Sequence, residues 1–342
     1  MDIDGLKNRI EPEYDAGEIG DVIDNIIEED KEAVVNLVNR LDLRVLAGKI
    51  DAEDDVRKIG RCVGGIFRVN PDAAARLVQG VDFEKLKSKI EAEDDIESVS
   101  FCIGEIACAV PGKIERLMPV IRDRIDAEED TGKIGSCFFN ICKNGDEGRV
   151  IADRLLRHLD FGKLTDKIKS GDDIAKIVLC ITGIAGANRE IAGILLTRIG
   201  FLNLKNKIES GDDIEIIGGV ISEISKVNKE FAWKLIPVLK DKIECEEDIQ
   251  KINWCLSNFD DDSRDVAGKI VSVLDLDSLT GKLESEDDII KISFFIDEIV
   301  WASRESGLKL LGKLNPDNVR SPDASERIIE LKKDYLPDNN FN

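Results

Sequence analysis

Residues 49–59 read Lys-Ile-Asp-Ala-Glu-Asp-Asp-Val-Arg-Lys-Ile, and this phrase returns along the whole chain. Each copy has a basic residue, an isoleucine, a short acidic run that ends in Asp, and usually a branched apolar residue. Taking the first isoleucine as the zero of a unit, the zeros stand at Ile10, Ile50, Ile90, Ile125, Ile168, Ile208, Ile243 and, as a leucine, Leu283. The spacings are 40, 40, 35, 43, 40, 35 and 40 residues. Recurrence at this period predicts an array of small repeated units rather than separate globular domains.

Positions counted from each zero, called offsets below, keep their chemistry from unit to unit. Offset 5 is always Asp, and offset 9 is always Ile or Val. Offsets 6, 9, 13 and 16 are apolar apart from Thr131, and steps of three and four residues line one stripe of an α-helix. Offset 15, which includes Glu105, points away from this stripe, so we expect that side to face water. The fold class predicted is all-α.

Each unit is predicted to contain further helices after this first one. Offset 20 is often Asn or Ser, and a second helix follows it, as in Pro71–Gln79. In the longer units a third, short helix follows an Asp such as Asp82. In the two 35-residue units we expect no such break, so 116–121 and 234–239 should run straight on as helix.

The chain is predicted to end in a cap. Residues 1–314 form the repeat domain, and residues 315–342 hold one capping helix over 323–333 and a polar tail. Ser321 and Pro322 suit the start of that helix, as N-cap and first-turn residues. Such a cap is expected because an open stack of repeats would expose its apolar end.

Three helices in about 40 residues, repeated about eight times, resembles the armadillo/HEAT class of α-solenoids in period and helix count. The resemblance implies a right-handed superhelix with a concave groove that binds extended peptides or partner proteins. It is a likeness of period rather than of a specific consensus motif.

Composition narrows the function classes. Of the 342 residues 35% are charged and 42% apolar, which is too apolar for a disordered chain, and the formal net charge is −22. That charge opposes binding to nucleic acid or to anionic membranes, because both require clustered Lys and Arg. No apolar stretch approaches the roughly 20 residues that cross a bilayer, and residues 1–6 lack the pattern of a signal peptide. We therefore expect a cytoplasmic protein.

The acidic runs carry two interpretations. They stand at 53–55, 93–95, 128–130, 172–173, 212–213, 246–248 and 286–288, and they hold nearly as many carboxylates as the net charge. Each run precedes a helix, so its aspartates can cap free N–H groups, while the cation before each zero suits the end of the preceding helix. Alternatively the runs form an acidic ridge that attracts a basic partner. For that second interpretation the candidate residues are Asp54, Asp94 and Asp287.

Offset 11 lies opposite the apolar stripe, and in some units it is nevertheless large and apolar. The candidates for partner binding are Phe101, Leu179, Trp254 and Phe294. Aromatic residues commonly anchor interfaces, although these side chains could equally cover seams against a neighbouring helix.

The sequence gives no sign of chemistry. Five of the eight cysteines share offset 12, a position that also accepts Val and Phe, so we interpret them as buried thiols rather than metal ligands. There is one histidine, His158, and there is no P-loop, dinucleotide fingerprint or paired CxxC. We predict no enzyme activity, no metal and no cofactor.

The function predicted is therefore a scaffold or adaptor that binds a protein or peptide, with a basic partner favoured. A sensor or regulatory subunit of a separately encoded enzyme is the first alternative. A solenoid enzyme or lyase is the second, and a catalytic dyad with strongly shifted pKa values in a pocket would favour it.

Overall fold

The structure, a computed structural model, describes residues 2–171, 173–211 and 213–336. Within these ranges the secondary structure is helical and contains no strand, so the all-α prediction is confirmed. No helix in the described part of the chain is long and apolar enough to span a bilayer. The described residues divide into two compact units. Unit 1 comprises the residues up to Gly171 together with Leu179–Leu195, and unit 2 comprises residues 173–178 together with those from Leu196 onward.

The helices are short and closely spaced along the chain. Up to Gly171 they are α1 (Ile3–Glu13), α2 (Ala16–Glu29), α3 (Lys31–Arg40), α4 (Leu43–Ala52), α5 (Val56–Val69), α6 (Pro71–Gly80), α7 (Phe83–Ala92), α8 (Ile96–Ala109), α9 (Pro111–Ile114), α10 (Met118–Ala127), α11 (Thr131–Cys142), α12 (Asp146–His158) and α13 (Phe161–Ser170). The later helices are α14 (Ile174–Ala187), α15 (Arg189–Ile199), α16 (Phe201–Ser210), α17 (Ile214–Val227), α18 (Lys229–Cys245), α19 (Ile249–Ser257), α20 (Arg264–Val273), α21 (Leu276–Ser285), α22 (Ile289–Ala302), α23 (Arg304–Lys313) and α24 (Pro322–Tyr335).

The first helix of each recurring phrase begins directly after the offset-5 aspartate. In α5 the Oδ1 atom of Asp55 accepts hydrogen bonds from the backbone N–H groups of Arg57 at 2.9 Å and Lys58 at 3.2 Å. The same cap recurs at Asp15, Asp95, Asp130, Asp173, Asp213, Asp248 and Asp288. A cap of this kind stabilises a helix by about 1 kcal/mol, which explains why these eight helices begin where they do.

In six of the eight units, offset 20 ends the first helix and starts the second. The N–H of Asn70 donates to the carbonyl of Ile66 at 2.8 Å, and its side chain accepts from the N–H of Ala73 at 3.0 Å. The same double role falls to Asp30, Asn188, Asn228 and Ser303. One polar side chain therefore serves two helix ends.

The prediction of unbroken helix in the two short units is right for one and wrong for the other. Helix α18 runs through 234–239, with Pro237 inside it. By contrast, α9 ends at Ile114 and α10 begins only at Met118. Val110 at offset 20 provides no side-chain cap for α9, and Pro119 has no N–H to donate to the carbonyl four residues back. The helix that should continue through this segment therefore starts weakly and is interrupted.

The apolar stripe forms the core. Every offset-9 side chain is at most 1% exposed, namely those of Ile19, Ile59, Val99, Ile134, Ile177, Ile217, Ile252 and Ile292. In unit 1 the first helices α2, α5, α8 and α11 each pack against the next. In unit 2 helices α17, α19 and α22 do the same, and α24 packs on α22 and α23.

The expectation that offset 15 faces water is wrong at Gly65, Glu105 and Gly183, which are buried. Neighbouring first helices approach so closely that this side lies against the next helix rather than in solvent. A Cβ placed on Gly65 would lie 3.2 Å from the backbone of Gly20, and one on Gly183 would collide with the backbone of Gly135. These close contacts cannot be read from the period of a single helix.

In six units the cation before the zero donates to backbone carbonyls of the preceding phrase. The ammonium of Lys89 donates to three backbone carbonyls, those of Ile50 at 3.2 Å, Asp51 at 2.8 Å and Glu53 at 2.5 Å. The same kind of bond is made by Lys49, Arg124, Lys167, Lys242 and Lys282. These carbonyls end a helix, so the positive charge also opposes the negative pole of that helix.

Candidate functional site

The acidic runs serve the backbone through their first and last residues. Besides the offset-5 caps, the glutamate at offset 3 accepts from the N–H of the capping aspartate, as Glu93 does from Asp95 at 3.0 Å. Equivalent bonds are made by Glu53, Glu128, Glu246 and Glu286. The capping interpretation therefore accounts for two of the three carboxylates in each full run.

The middle residues of the runs are placed differently. Asp54, Asp94 and Asp287 are exposed, and Asp94 lies 3.5 Å from Nη1 of Arg124 while its side chain stays open to solvent. The corresponding Asp172 and Asp212 lie outside the described residues. The carboxylates that could attract a partner are thus those that cap nothing.

The offset-11 side chains lie on the exposed side of the first helices. Leu179 is 44% exposed, Trp254 44% and Phe294 58%, whereas Phe101 is half-buried. In unit 2 two more exposed apolar residues, Ile216 and Ile290, precede offset 11 by about one turn and so share this side of their helices. Three neighbouring helices of unit 2, α17, α19 and α22, therefore carry an apolar surface.

Phe101 belongs to a separate feature, an open cleft of about 410 Å³ within unit 1. The cleft is lined by Asp21, Asp24, Arg61, Arg68, Phe101, Glu105, Lys143 and Asn144. These residues come from α2, α5 and α8 and from the chain just after α11. The other sequence candidates do not line it.

Ion pairs form one wall of the cleft. Arg61 Nη1 lies 3.2 Å from both carboxylate oxygens of Asp21. Arg68 binds Asp24 through two hydrogen bonds from Nη2, at 2.8 and 2.7 Å. Both guanidinium groups are therefore largely neutralised by partners of their own.

The ring of Phe101 attracts two further cations. Lys143 Nζ lies 4.2 Å from the ring centroid, and the Arg57 guanidinium lies 5.7 Å from it. Both distances suit cation–π attraction, in which the negative face of the ring stabilises a positive charge. The ring is thus a surface on which an ammonium or guanidinium group can rest.

Glu105 lies at the base of the cleft and is only 3% exposed. Its side chain lies over Gly64, where a Cβ would collide with the carboxylate. The nearest cationic atom is Arg68 Nη1, 3.8 Å from Oε2, which is longer than a hydrogen bond. Burial raises the pKa of Glu105, and the charges of Arg68 and Lys143 only partly oppose this. The carboxylate is therefore desolvated and loosely held.

Lys143 and Asn144 complete the site. Burial lowers the pKa of Lys143, while the charge of Glu105 works in the opposite direction. The amide of Asn144 helps to lower the pKa of Glu105, yet its buried Nδ2 atom makes no hydrogen bond of ordinary geometry. The cleft thus contains a desolvated carboxylate and a buried amide that lie near each other without a hydrogen bond of ordinary geometry.

Sequence reasoning missed Glu105, Lys143 and Asn144. One signal was available, because Glu105 is a lone acid inside the otherwise apolar stretch 102–110. Acids are rarely fully buried without a partner, so a carboxylate in such a stretch points to a special environment. Chemically, a carboxylate and an ammonium with opposed pKa shifts can hold a cation or exchange a proton.

The cysteines are placed as predicted. Cys62, Cys102, Cys137, Cys180 and Cys255 are at most 1% exposed, and all eight cysteines are free thiols. Burial raises the pKa of Cys62, Cys137 and Cys180 to about 12. In the part of the chain that the structure describes, no group of three His, Cys, Asp or Glu side chains could hold a metal ion.

Comparisons with known proteins show no family for this chain. No protein-family model matches the chain, and no curated protein matches it. Among solved structures, the chain is similar to one described as "Computational Design of Self-Assembling Cyclic Protein Homooligomers", at 13% identity, over 93% of this chain and 96% of that one. The TM-score is 0.13, and a likeness at that level carries no argument.

Proposed function

We propose that the protein is a scaffold or adaptor that binds a segment of a partner protein along the offset-11 side of its first helices. The observation that carries this proposal is the exposure of large apolar side chains at one recurring helical position, with Leu179, Trp254 and Phe294 between 44% and 58% exposed.

Such exposure supports binding because it is concentrated. A single exposed apolar residue needs no explanation, but a contiguous exposed patch on a soluble protein marks an interaction site. In unit 2, Trp254 and Phe294 share their side of neighbouring helices with Ile216 and Ile290. Tryptophan and other aromatic residues are the usual anchors of protein interfaces.

The finer architecture belongs to the same proposal. We take the chain to be a right-handed α-solenoid of about eight repeats, similar to the armadillo/HEAT class, with α24 as its cap. The recurring aspartate caps and the lysine bonds to the preceding phrase support it. Solution scattering tests it, since a compact globule of this length would have a radius of gyration of about 20 Å and an extended array a clearly larger one.

Charge indicates which partner is favoured. The exposed Asp54, Asp94 and Asp287 add to a formal net charge of −22, so encounter with a basic segment would be accelerated. Eight free thiols fit a reducing compartment, which supports the proposed cytoplasmic location. In this proposal the protein performs no catalysis of its own.

The experiment is affinity capture from a lysate of the source organism. The unaltered protein, a Trp254→Ser/Phe294→Ser double variant, and a Leu202→Ser control are compared. Leu202 is 70% exposed but lies on α16, which is not one of the first helices. Loss of the same partners from the double variant, but not from the control, is the expected result.

Identical capture by all three proteins would refute the proposed surface. A captured enzyme whose activity changes on binding would instead favour the regulatory-subunit alternative.

A further inference from the structure

We propose that the Phe101 cleft is a receptor for a cationic side chain, lysine or arginine, of a bound peptide segment, and that Lys143 occupies this receptor in the free protein. The inference rests on the proposed function for the kind of partner, a protein segment. It adds the chemistry of the residue that the cleft recognises.

The carboxylate at the base of the cleft lacks a well-placed hydrogen-bond donor. Glu105 is 3% exposed, and its closest cationic atom, on Arg68, stands at 3.8 Å. The amide of Asn144 also lies beside Glu105 but makes no hydrogen bond of ordinary geometry. A buried carboxylate whose nearest donors are distant or poorly aligned loses its hydration and gains little in return. A ligand that donates at 2.7–2.9 Å would form a charge-assisted hydrogen bond that the free protein lacks.

The Phe101 ring shows that the cleft accepts a positive charge. Lys143 Nζ already lies 4.2 Å from the ring centroid, yet it does not come within ion-pair distance of Glu105. Lys143 therefore stabilises the carboxylate from a distance without satisfying it. A partner's ammonium can replace that of Lys143 with no change in local charge and can approach the carboxylate more closely.

The walls of the cleft do not oppose this exchange. Arg61 and Arg68 are bound to Asp21 and Asp24. The charges of Arg68 and Arg57 repel the ammonium of Lys143 and would repel that of a ligand in the same way, so they do not favour one over the other. Lys143 is exposed as a residue, although its ammonium is partly desolvated, and it can leave because its contact with Phe101 is worth only about 1 kcal/mol at such a site.

The amide of Asn144 indicates that the ligand is a peptide rather than a simple amine. Asn144 Nδ2 is buried in the same cleft beside Glu105, but it makes no hydrogen bond of ordinary geometry to that carboxylate. A peptide presents a carbonyl oxygen near its cationic side chain, and that oxygen can accept from Asn144. One ligand can then give both Glu105 and Asn144 a well-aligned partner.

NMR titration of the full chain tests the inference, with the ring of Phe101 and the side-chain amide of Asn144 as reporters. The probes are Ac-Gly-Lys-Gly-NH₂ and Ac-Gly-Arg-Gly-NH₂. The matched controls are the same peptide with norleucine or glutamate at the centre, and n-butylammonium. We expect at least one cationic peptide to shift both reporters, and the norleucine, glutamate and butylammonium probes to bind about tenfold more weakly or not at all.

Two variants should change the affinity for the cationic peptide in opposite directions. Glu105→Gln, which keeps the shape of the side chain, should lower the affinity for the cationic peptide about tenfold. Lys143→Met removes the internal competitor and should raise the affinity for the cationic peptide by about threefold or more. Lys163→Met removes an exposed lysine elsewhere in unit 1 and should change nothing.

Weaker binding of the cationic peptide by Lys143→Met would show that Lys143 is not a competitor and would overturn the inference. Preference for the glutamate peptide would show an anion site and would also overturn it. Equal affinity for n-butylammonium would overturn the peptide part. If the cleft binds the cationic peptide but the Trp254→Ser/Phe294→Ser variant captures the same partners as the unaltered protein, this inference holds and the proposed function fails. If the cleft binds no peptide but the variant loses its partners, the proposed function holds and this inference fails.

Discussion

The ammonium of Lys89 donates a hydrogen bond to the backbone carbonyl of Asp51, 2.8 Å away, and joins the third helix of one phrase to the end of the corresponding helix in the phrase before. Together with its bonds to Ile50 and Glu53, this places one charge on three carbonyls at the end of the preceding helix. A positive group at that position contributes both hydrogen bonds and a favourable interaction with the helix dipole.

Replacing Lys89 by Met should therefore lower stability. We expect a loss of about 1–3 kcal/mol, because partly buried carbonyls would lose a charged donor. Calorimetric melting of the variant measures it, and Lys85→Met, which removes an exposed lysine of the same helix, is the control. Equal melting of the two variants would contradict the role assigned to Lys89.

Substitutions at two adjacent aspartates can distinguish the capping role from the partner-binding role of the acidic runs. Asp55→Ala removes the acceptor for Arg57 and Lys58 and should destabilise the protein by about 1 kcal/mol. Asp54→Ala removes an exposed carboxylate and should leave the melting temperature nearly unchanged while weakening any basic partner. A larger decrease in melting temperature for Asp54→Ala than for Asp55→Ala would contradict these two assignments.

Glu105 should make stability depend on pH in an unusual direction. Burial raises its pKa in the folded state, so the protonated carboxyl is favoured by folding. Its destabilising effect is absent below the unfolded pKa of about 4.3 and develops as the pH rises through the folded value.

Melting of unaltered protein and Glu105→Gln across pH 4 to 8 checks this prediction. The variant should gain stability relative to the unaltered protein as the pH rises. A constant difference across this range would show that the carboxyl titrates at its ordinary value.

Close helix approach predicts opposite effects for two glycines. Gly135→Ala places a methyl group against the backbone carbonyl of Leu179 and should cost about 1–3 kcal/mol. Gly48→Ala adds a methyl group where no atom lies within 4 Å, inside the exposed part of α4, and should stabilise by about 0.5–1 kcal/mol. Urea denaturation followed by circular dichroism distinguishes the two, and a loss in both would contradict the assignment of open space at Gly48.

The sequence predicted the features that each helix determines by itself. The Asp at offset 5 and the Ile or Val at offset 9 identify helix starts and the buried stripe, since capping and periodicity act within one helix. The cleft depended on contacts between helices. Glu105 is buried because Gly64 and Lys143 come near it from α5 and from the end of α11, and no spacing along one helix encodes that meeting.

The lysine bonds between phrases also bear on how such a chain can change length during evolution. Their acceptors are main-chain carbonyls, which every residue provides, so the receiving segment can mutate freely without losing the joint. A duplicated segment would present the same carbonyls to the next lysine and would supply a lysine of its own. The chain can therefore gain or lose whole segments without first needing new residues to make the lysine bonds.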